Sequence, residues 1–159
     1  MRISTLVMGV ILFGLLCVMA ALWSCDGGLS PSNIASDLPA ELDGIRIYTA
    51  SEAYPPDAGT ITLIIENKTG SEIAYGLEWS AEVKRGETWY KLPFVEPVTI
   101  PDIARTVSDG EAGSLTVDLS TLDFKLTPGN YRIIKNVSGV TLAAEFKVEE
   151  NAAGEMPTE

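Results

Sequence analysis

Leu77-Glu78-Trp79-Ser80-Ala81-Glu82-Val83-Lys84 is the stretch that decides the fold. Leu77, Trp79, Ala81 and Val83 alternate with Glu78, Ser80, Glu82 and Lys84. That period of two sets the apolar residues on one face of a strand and the polar ones in water. The pattern recurs further along. Leu115, Val117 and Leu119 alternate with Ser114, Thr116 and Asp118; Leu142, Ala144, Phe146 and Val148 alternate with Thr141, Ala143, Glu145 and Lys147. Ile61, Leu63 and Ile65 mark a more buried strand, with Ile64 apolar on its other face, and Ile45 to Thr49 and Tyr131 to Asn136 mark two more. Trp89 to Leu92 is expected to pair with residues 79–84 across the turn Arg85-Gly86-Glu87. Asn67-Lys68-Thr69-Gly70 and Pro128-Gly129-Asn130 are further turn signals. About seven short strands with turns this frequent predict an all-β fold, an antiparallel β-sandwich over residues 45–150.

Outside that span the composition changes. Residues 26–44 are rich in Gly, Ser, Pro, Asp and Ala and read as a flexible linker, which fully extended reaches about 60 Å at about 3.3 Å per residue. Residues 151–159 are small, acidic and aperiodic, a frayed tail. At the other end Arg2 precedes an almost wholly apolar run, Ile3 to Trp23, and Leu22-Trp23-Ser24-Cys25 closes it with a small residue before a cysteine. Charge, apolar run and small residue in that order are the pattern of an export signal, helical across its apolar part. With cysteine last the segment resembles the lipobox of bacterial lipoproteins. The resemblance implies a signal at 1–24, removed on lipidation of Cys25, and a flexible connection over 25–44. Trp23 departs from the lipobox pattern, and the run is also long enough to cross a bilayer as an uncleaved anchor. Either way the domain is tethered at a membrane, outside the cytoplasm.

Leu126-Thr127-Pro128-Gly129-Asn130-Tyr131 narrows the fold. A leucine, a turn and a tyrosine entering a strand resemble the tyrosine corner of immunoglobulin-like domains. The resemblance implies that Tyr131 opens strand F, that Ile133 stands where antibody domains carry their second cysteine, and that Trp79 is the core tryptophan of strand C. Ile64-Ile65-Glu66-Asn67-Lys68-Thr69, Tyr75-Gly76, Glu82 to Trp89, Leu126 to Ile133 and Ala143-Ala144-Glu145-Phe146 occur in that order. Together they resemble the bacterial Ig-like domains of envelope lipoproteins and surface proteins. That family brings no catalytic residue with it.

Composition limits the chemistry. The chain has 11 basic and 22 acidic residues and no histidine, a net charge of −11. Removal of Arg2 with residues 1–24 leaves 10 basic against 22 acidic groups, a net of −12. Such a balance excludes nucleic acid as a partner, because phosphates require a basic face. Serine and cysteine nucleophiles lack their usual histidine base. The only cysteines, Cys17 and Cys25, lie within or at the end of the apolar run, so the domain has neither a disulfide nor a thiolate zinc site. No enzyme and no cofactor are expected. Asp102, Asp109 and Glu111, in one Gly-containing segment, are weak candidates for calcium. Asn67-Lys68-Thr69 and Asn136-Val137-Ser138 match the glycosylation sequon.

Aromatic residues supply the remaining candidates. Trp89, Tyr90 and Phe94 cluster near the hairpin and its exit, and neighbours on a strand cannot both face the core. One ring of Trp89 and Tyr90 is therefore expected outside, where it could contact a protein or a sugar or cover an edge. The leading expectation is a membrane-tethered binding or adaptor module that docks another envelope protein. The alternatives are a carbohydrate- or peptidoglycan-contacting module using Trp89, Tyr90 and Phe94, and a passive structural domain.

Overall fold

The computed structural model describes residues 28–150, apart from Val98 and Ile100. The expected signal at 1–24, Cys25 and the expected tail at 151–159 lie outside the described residues. In chain order the strands are β1 (Ser30–Pro31), β2 (Glu41–Leu42), β3 (Ile45–Thr49), β4 (Ala53–Tyr54), β5 (Thr60–Asn67), β6 (Ile73–Tyr75), β7 (Ser80–Arg85), β8 (Thr88–Lys91), β9 (Arg105–Val107), β10 (Ala112–Asp118), β11 (Gly129–Val137) and β12 (Val140–Val148). A 3-10 turn, Leu119–Thr121, follows β10, its first turn capped by the Asp118 carboxylate.

Alternation builds β3, β5, β7, β8, β10, β11 and β12, the strands expected from sequence. One sheet has the order β10-β5-β3-β2 and the other β1-β8-β7-β11-β12-β4; β6 and β9 form a separate pair. Register keeps the apolar sets together. Leu63 stands opposite Leu115, Ile65 opposite Ile47, and Ile133 between Ala81 and Ala144. These side chains, with Val83, Val117, Tyr131, Leu142 and Phe146, form the core between the sheets. Each fully buried Leu, Ile or Val contributes about 1.5–3 kcal/mol relative to exposure.

Three expectations are corrected. First, β7 begins only at Ser80: Leu77 and Trp79 lie in the preceding segment, partly buried. Trp79 packs edge-on against Phe94 at 5.0 Å and is not among the buried core residues of strand C. Second, Glu82 is not in water. It alternates outward from Ala81 and Val83 as expected, yet it is 1% exposed. The reason is that the outward face of this sheet is covered, as shown by the unbroken burial of β11 from Tyr131 to Lys135.

The covering segment is the third correction. Residues 28–44, expected as a flexible linker, are laid down on the fold. Ser30 and Pro31 pair with Lys91 and Tyr90 at the β8 edge. The chain then crosses the outer face of the six-stranded sheet. At the far side the Pro39 carbonyl accepts the Ala143 N–H, the Ala40 carbonyl accepts the Ile47 N–H, and Glu41–Leu42 joins the other sheet against Arg46 and Ile45. Asp43 and Gly44, both at positive φ, turn the chain into β3. Composition misled here because main-chain groups and one serine hydroxyl do most of the holding, and Leu29 alone of the strap's side chains packs against the core.

Candidate functional site

The strap is anchored on an ion pair. Arg132 on β11 and Glu82 on β7 face each other across the ladder, both pointing outward. Arg132 Nε and Nη2 lie 2.8 and 2.6 Å from Glu82 Oε2, with side-chain exposures of 0% and 1%. The Ser32 hydroxyl donates to Glu82 Oε1, while Arg132 Nη1 and Nη2 donate to the Ser36 and Ala35 carbonyls at 3.0 and 3.1 Å. Burying two charges costs several kcal/mol each unless their hydrogen bonds are met. Here the strap meets them, and no buried side-chain N or O among the described residues lacks a partner.

Trp89 belongs to the same cluster. It faces outward on β8, with the Arg132 guanidinium 4.4 Å and the Lys84 ammonium 5.6 Å from its ring centre, and it is 4% exposed. Its carbonyl accepts the Ser32 N–H at 2.8 Å. The outward ring is therefore the tryptophan, but the strap closes over it and leaves no sugar platform. Tyr90, its neighbour, packs against the core, with the Arg85 guanidinium over its ring. Phe94 is partly buried beside Trp79 and lines an open groove of about 400 Å³ with Leu29, Pro93 and Glu96. The three aromatic candidates thus occupy three different settings.

Asp102, Asp109 and Glu111 do not converge. All three are exposed. The Asp109 carboxylate accepts the Gly70 N–H at 2.8 Å, and Asp102 lines a different hollow with Glu78 and Ala104. Among the described residues no three acidic, histidine or cysteine side chains come together as a metal site. Asn67 of the first sequon is wholly buried, its amide donating to the Ser71 and Val107 carbonyls. It is a structural residue. Asn136 of the second caps the hairpin turn through Gly139 N–H.

On the inward face of β11, next to Arg132, Tyr131 Oη donates to the Thr127 carbonyl at 2.8 Å and accepts the Thr127 N–H at 3.0 Å. The ring is fully buried and stacked on Phe146 at 5.6 Å. Its hydroxyl therefore ties the connection from β10 to the first residues of β11. That geometry, two facing sheets antiparallel but for the short β4 beside β12, and the disulfide-free core accompany a sequence match: residues 41–147 fit the family described as Bacterial Ig-like domain. The chain belongs to that family. No curated protein matches it.

Bacterial Ig-like domains are typically extracellular or surface modules and typically non-enzymatic. The match begins at Glu41, so the strap up to Ala40 lies outside the part of this Ig-like domain that the family defines. No helix among the described residues is long and apolar enough to cross a membrane. Sequence reasoning missed the Glu82–Arg132 pair. Its signal was Ile134 and Ala143, apolar residues on the face that alternation assigns to water, which lie beside Arg132 and Glu82 and are themselves buried.

The edge of the four-stranded sheet is a further candidate for contact. β10 ends its sheet and is seven residues long. Hydrogen bonds from Leu119 N–H to the Gly59 carbonyl and from Asn67 N–H to the Glu111 carbonyl fix its phase. Odd-numbered residues thus bond to β5, and the N–H and C=O of Ser114 and Thr116 point outward. Tyr75 Oη and Arg105 Nη1 already donate to the Ser114 carbonyl, at 3.1 and 3.2 Å. Thr116 therefore sits at the centre of the outward-facing edge.

Proposed function

We propose that this Ig-like domain is a membrane-tethered extracytoplasmic adaptor, held through lipidated Cys25, that binds another envelope protein by adding one of its strands to β10. The carrying observation is the β10 edge itself. The sheet-end strands β1, β2 and β4 are two residues long, and β1 contains Pro31, which has no N–H to give. β10 is seven residues long and presents the outward N–H and C=O of Thr116 at its middle, between the Ser114 and Asp118 carbonyls that side chains already occupy, and such a main-chain pair is what an added strand bonds to. The sugar-contacting alternative has lost its platform, since Trp89 is covered and Tyr90 packs against the core.

A photo-activated cross-linker at Ser114, exposed on the same strand, in cells expressing the full chain with and without Thr116→Pro, tests the reading. One recurrent protein partner, lost in Thr116→Pro, is the expected result. Proline there removes an outward N–H and leaves the ladder to β5 intact. Cross-links no more frequent than from a site on the strap, in protein shown to be folded, would leave the passive-domain reading instead. Mass spectrometry of the mature N-terminus checks the tether: an acylated Cys25 is expected.

A further inference from the structure

We infer that residues 30–42 are a releasable clasp, which opens while the sandwich stays folded and so sets both the reach of the domain and access to its outer sheet face. The basis is a mismatch between the strap and what it covers. No residue from Gly28 to Gly44 is buried. Beneath it, Glu82, Trp89, Arg132, Ile134 and Ala143 are all at most 6% exposed. The strap holds on through two-residue pairings at each end and single hydrogen bonds between them, and it contributes no buried apolar side chain to the core. Segments with few buried apolar contacts are those that open below the global unfolding free energy.

The covered groups favour release in a second way. Water entering an open clasp rehydrates Arg132 and Glu82, which recovers part of the desolvation cost that closure imposes. The pair can persist without the strap, because Arg132 Nε and Nη2 hold Glu82 Oε2 independently of it. What opening gives up is the Ser32 hydroxyl bond, the Ala35 and Ser36 carbonyls, the main-chain bonds at Ser32, Pro39 and Ala40, the pairings at the two edges and the packing of the half-buried Leu29.

The consequence for reach rests on the tether reading. With the clasp closed, only residues 26–29 separate Cys25 from the β8 edge, about 13 Å at full extension. With it open, residues 26–42 become connection, about 56 Å. An open clasp also bares the Trp89 ring and two guanidinium N–H donors that an extended peptide backbone from a partner could occupy.

Amide hydrogen exchange on the full chain in detergent tests the release itself. Two amides report on the strap from opposite ends: Ser32, bonded to the Trp89 carbonyl, and Ala143, bonded to the Pro39 carbonyl. Both are expected to exchange together, about tenfold or more faster than the amides of Tyr131 and Ile133. Ser32→Ala should accelerate the Ala143 amide and leave Tyr131 and Ile133 unchanged. Exchange of Ser32 and Ala143 at the rate of the β11 amides, with the same denaturant dependence, would overturn the clasp. A chain found cleaved, with Cys25 unacylated, would remove the reach argument and the tether and leave the exchange result standing, so the two failures are distinguishable.

Discussion

At the scale of single residues, Tyr131 and Lys135 carry opposite kinds of information. Tyr131 was legible because its role depends on local sequence: a leucine, a turn and a tyrosine within six positions. Both of its hydrogen bonds go to Thr127. Tyr131→Phe keeps the stacked ring and strands the Thr127 N–H, so a loss of about 1–2 kcal/mol is expected from denaturant midpoints. Lys135 was not legible, since a lysine in a strand normally marks the wet face. It shares the inward phase of Tyr131 and Ile133, and its Nζ reaches the Glu78 carbonyl at 2.6 Å and the Glu78 carboxylate at 3.2 Å. Burial lowers its pKa below the ordinary 10.5, opposed by Glu78. The folded state therefore releases this proton at lower pH than the unfolded chain does. Stability contributed by this group rises as pH climbs from its folded value toward 10.5. Lys135→Met should abolish that rise and change stability near neutrality by less than about 1 kcal/mol, because a buried charge is exchanged for a stem of similar volume. Comparing urea midpoints across alkaline pH measures it.

At the scale of elements, the long strands were readable and the short ones were not. β5, β11 and β12 advertise themselves through alternation. β1, β2 and β4 consist of two residues each, too few to show a period, and exist because neighbouring edges offer them partners. The strap was misread for a related reason: its composition resembles a linker because it supplies carbonyls instead of side chains. Its attachment through β7 and β11 makes a sharp prediction. Glu82→Ala leaves Arg132 buried without its carboxylate and the Ser32 hydroxyl without its acceptor. A loss of about 3–5 kcal/mol is expected in chemical denaturation. Trp89 lies against Arg132 and Ser32, so its fluorescence should shift in the folded state of the same variant.

Across the whole molecule, charge and topology act over longer distances. A net charge of −11 with no histidine means that self-repulsion persists throughout the physiological pH range. Raising ionic strength from about 0.01 M to about 0.5 M shortens the screening length from about 30 Å to a few ångström, and thermal midpoints are expected to rise with it. A partner strand with basic side chains would have the same repulsion relieved at the β10 edge. Family and sandwich were readable at this scale because they depend on the sum of many strands. The site was not, because an open edge is a property of which strand lacks a neighbour.

The turn between β11 and β12 has a kinetic meaning. Ser138 and Gly139 both take positive φ, 47° and 85°, so the two longest strands are joined by a two-residue loop of the kind that matches their twist. Nine consecutive residue pairs, from Val137–Val140 to Gly129–Val148, thus form within one continuous stretch of chain. β2–β3 and β7–β8 are also joined by two residues but pair over only two and four positions, and the other pairings close longer loops and wait on that loss of entropy. The hairpin is accordingly the natural folding nucleus, and Gly139→Ala is expected to slow refolding in stopped-flow more than it accelerates unfolding. With no disulfide in the core to trap an intermediate, the order of assembly rests on chain entropy alone: the register that closes the shortest loop over the longest ladder sets first, and the more distant strands add to it.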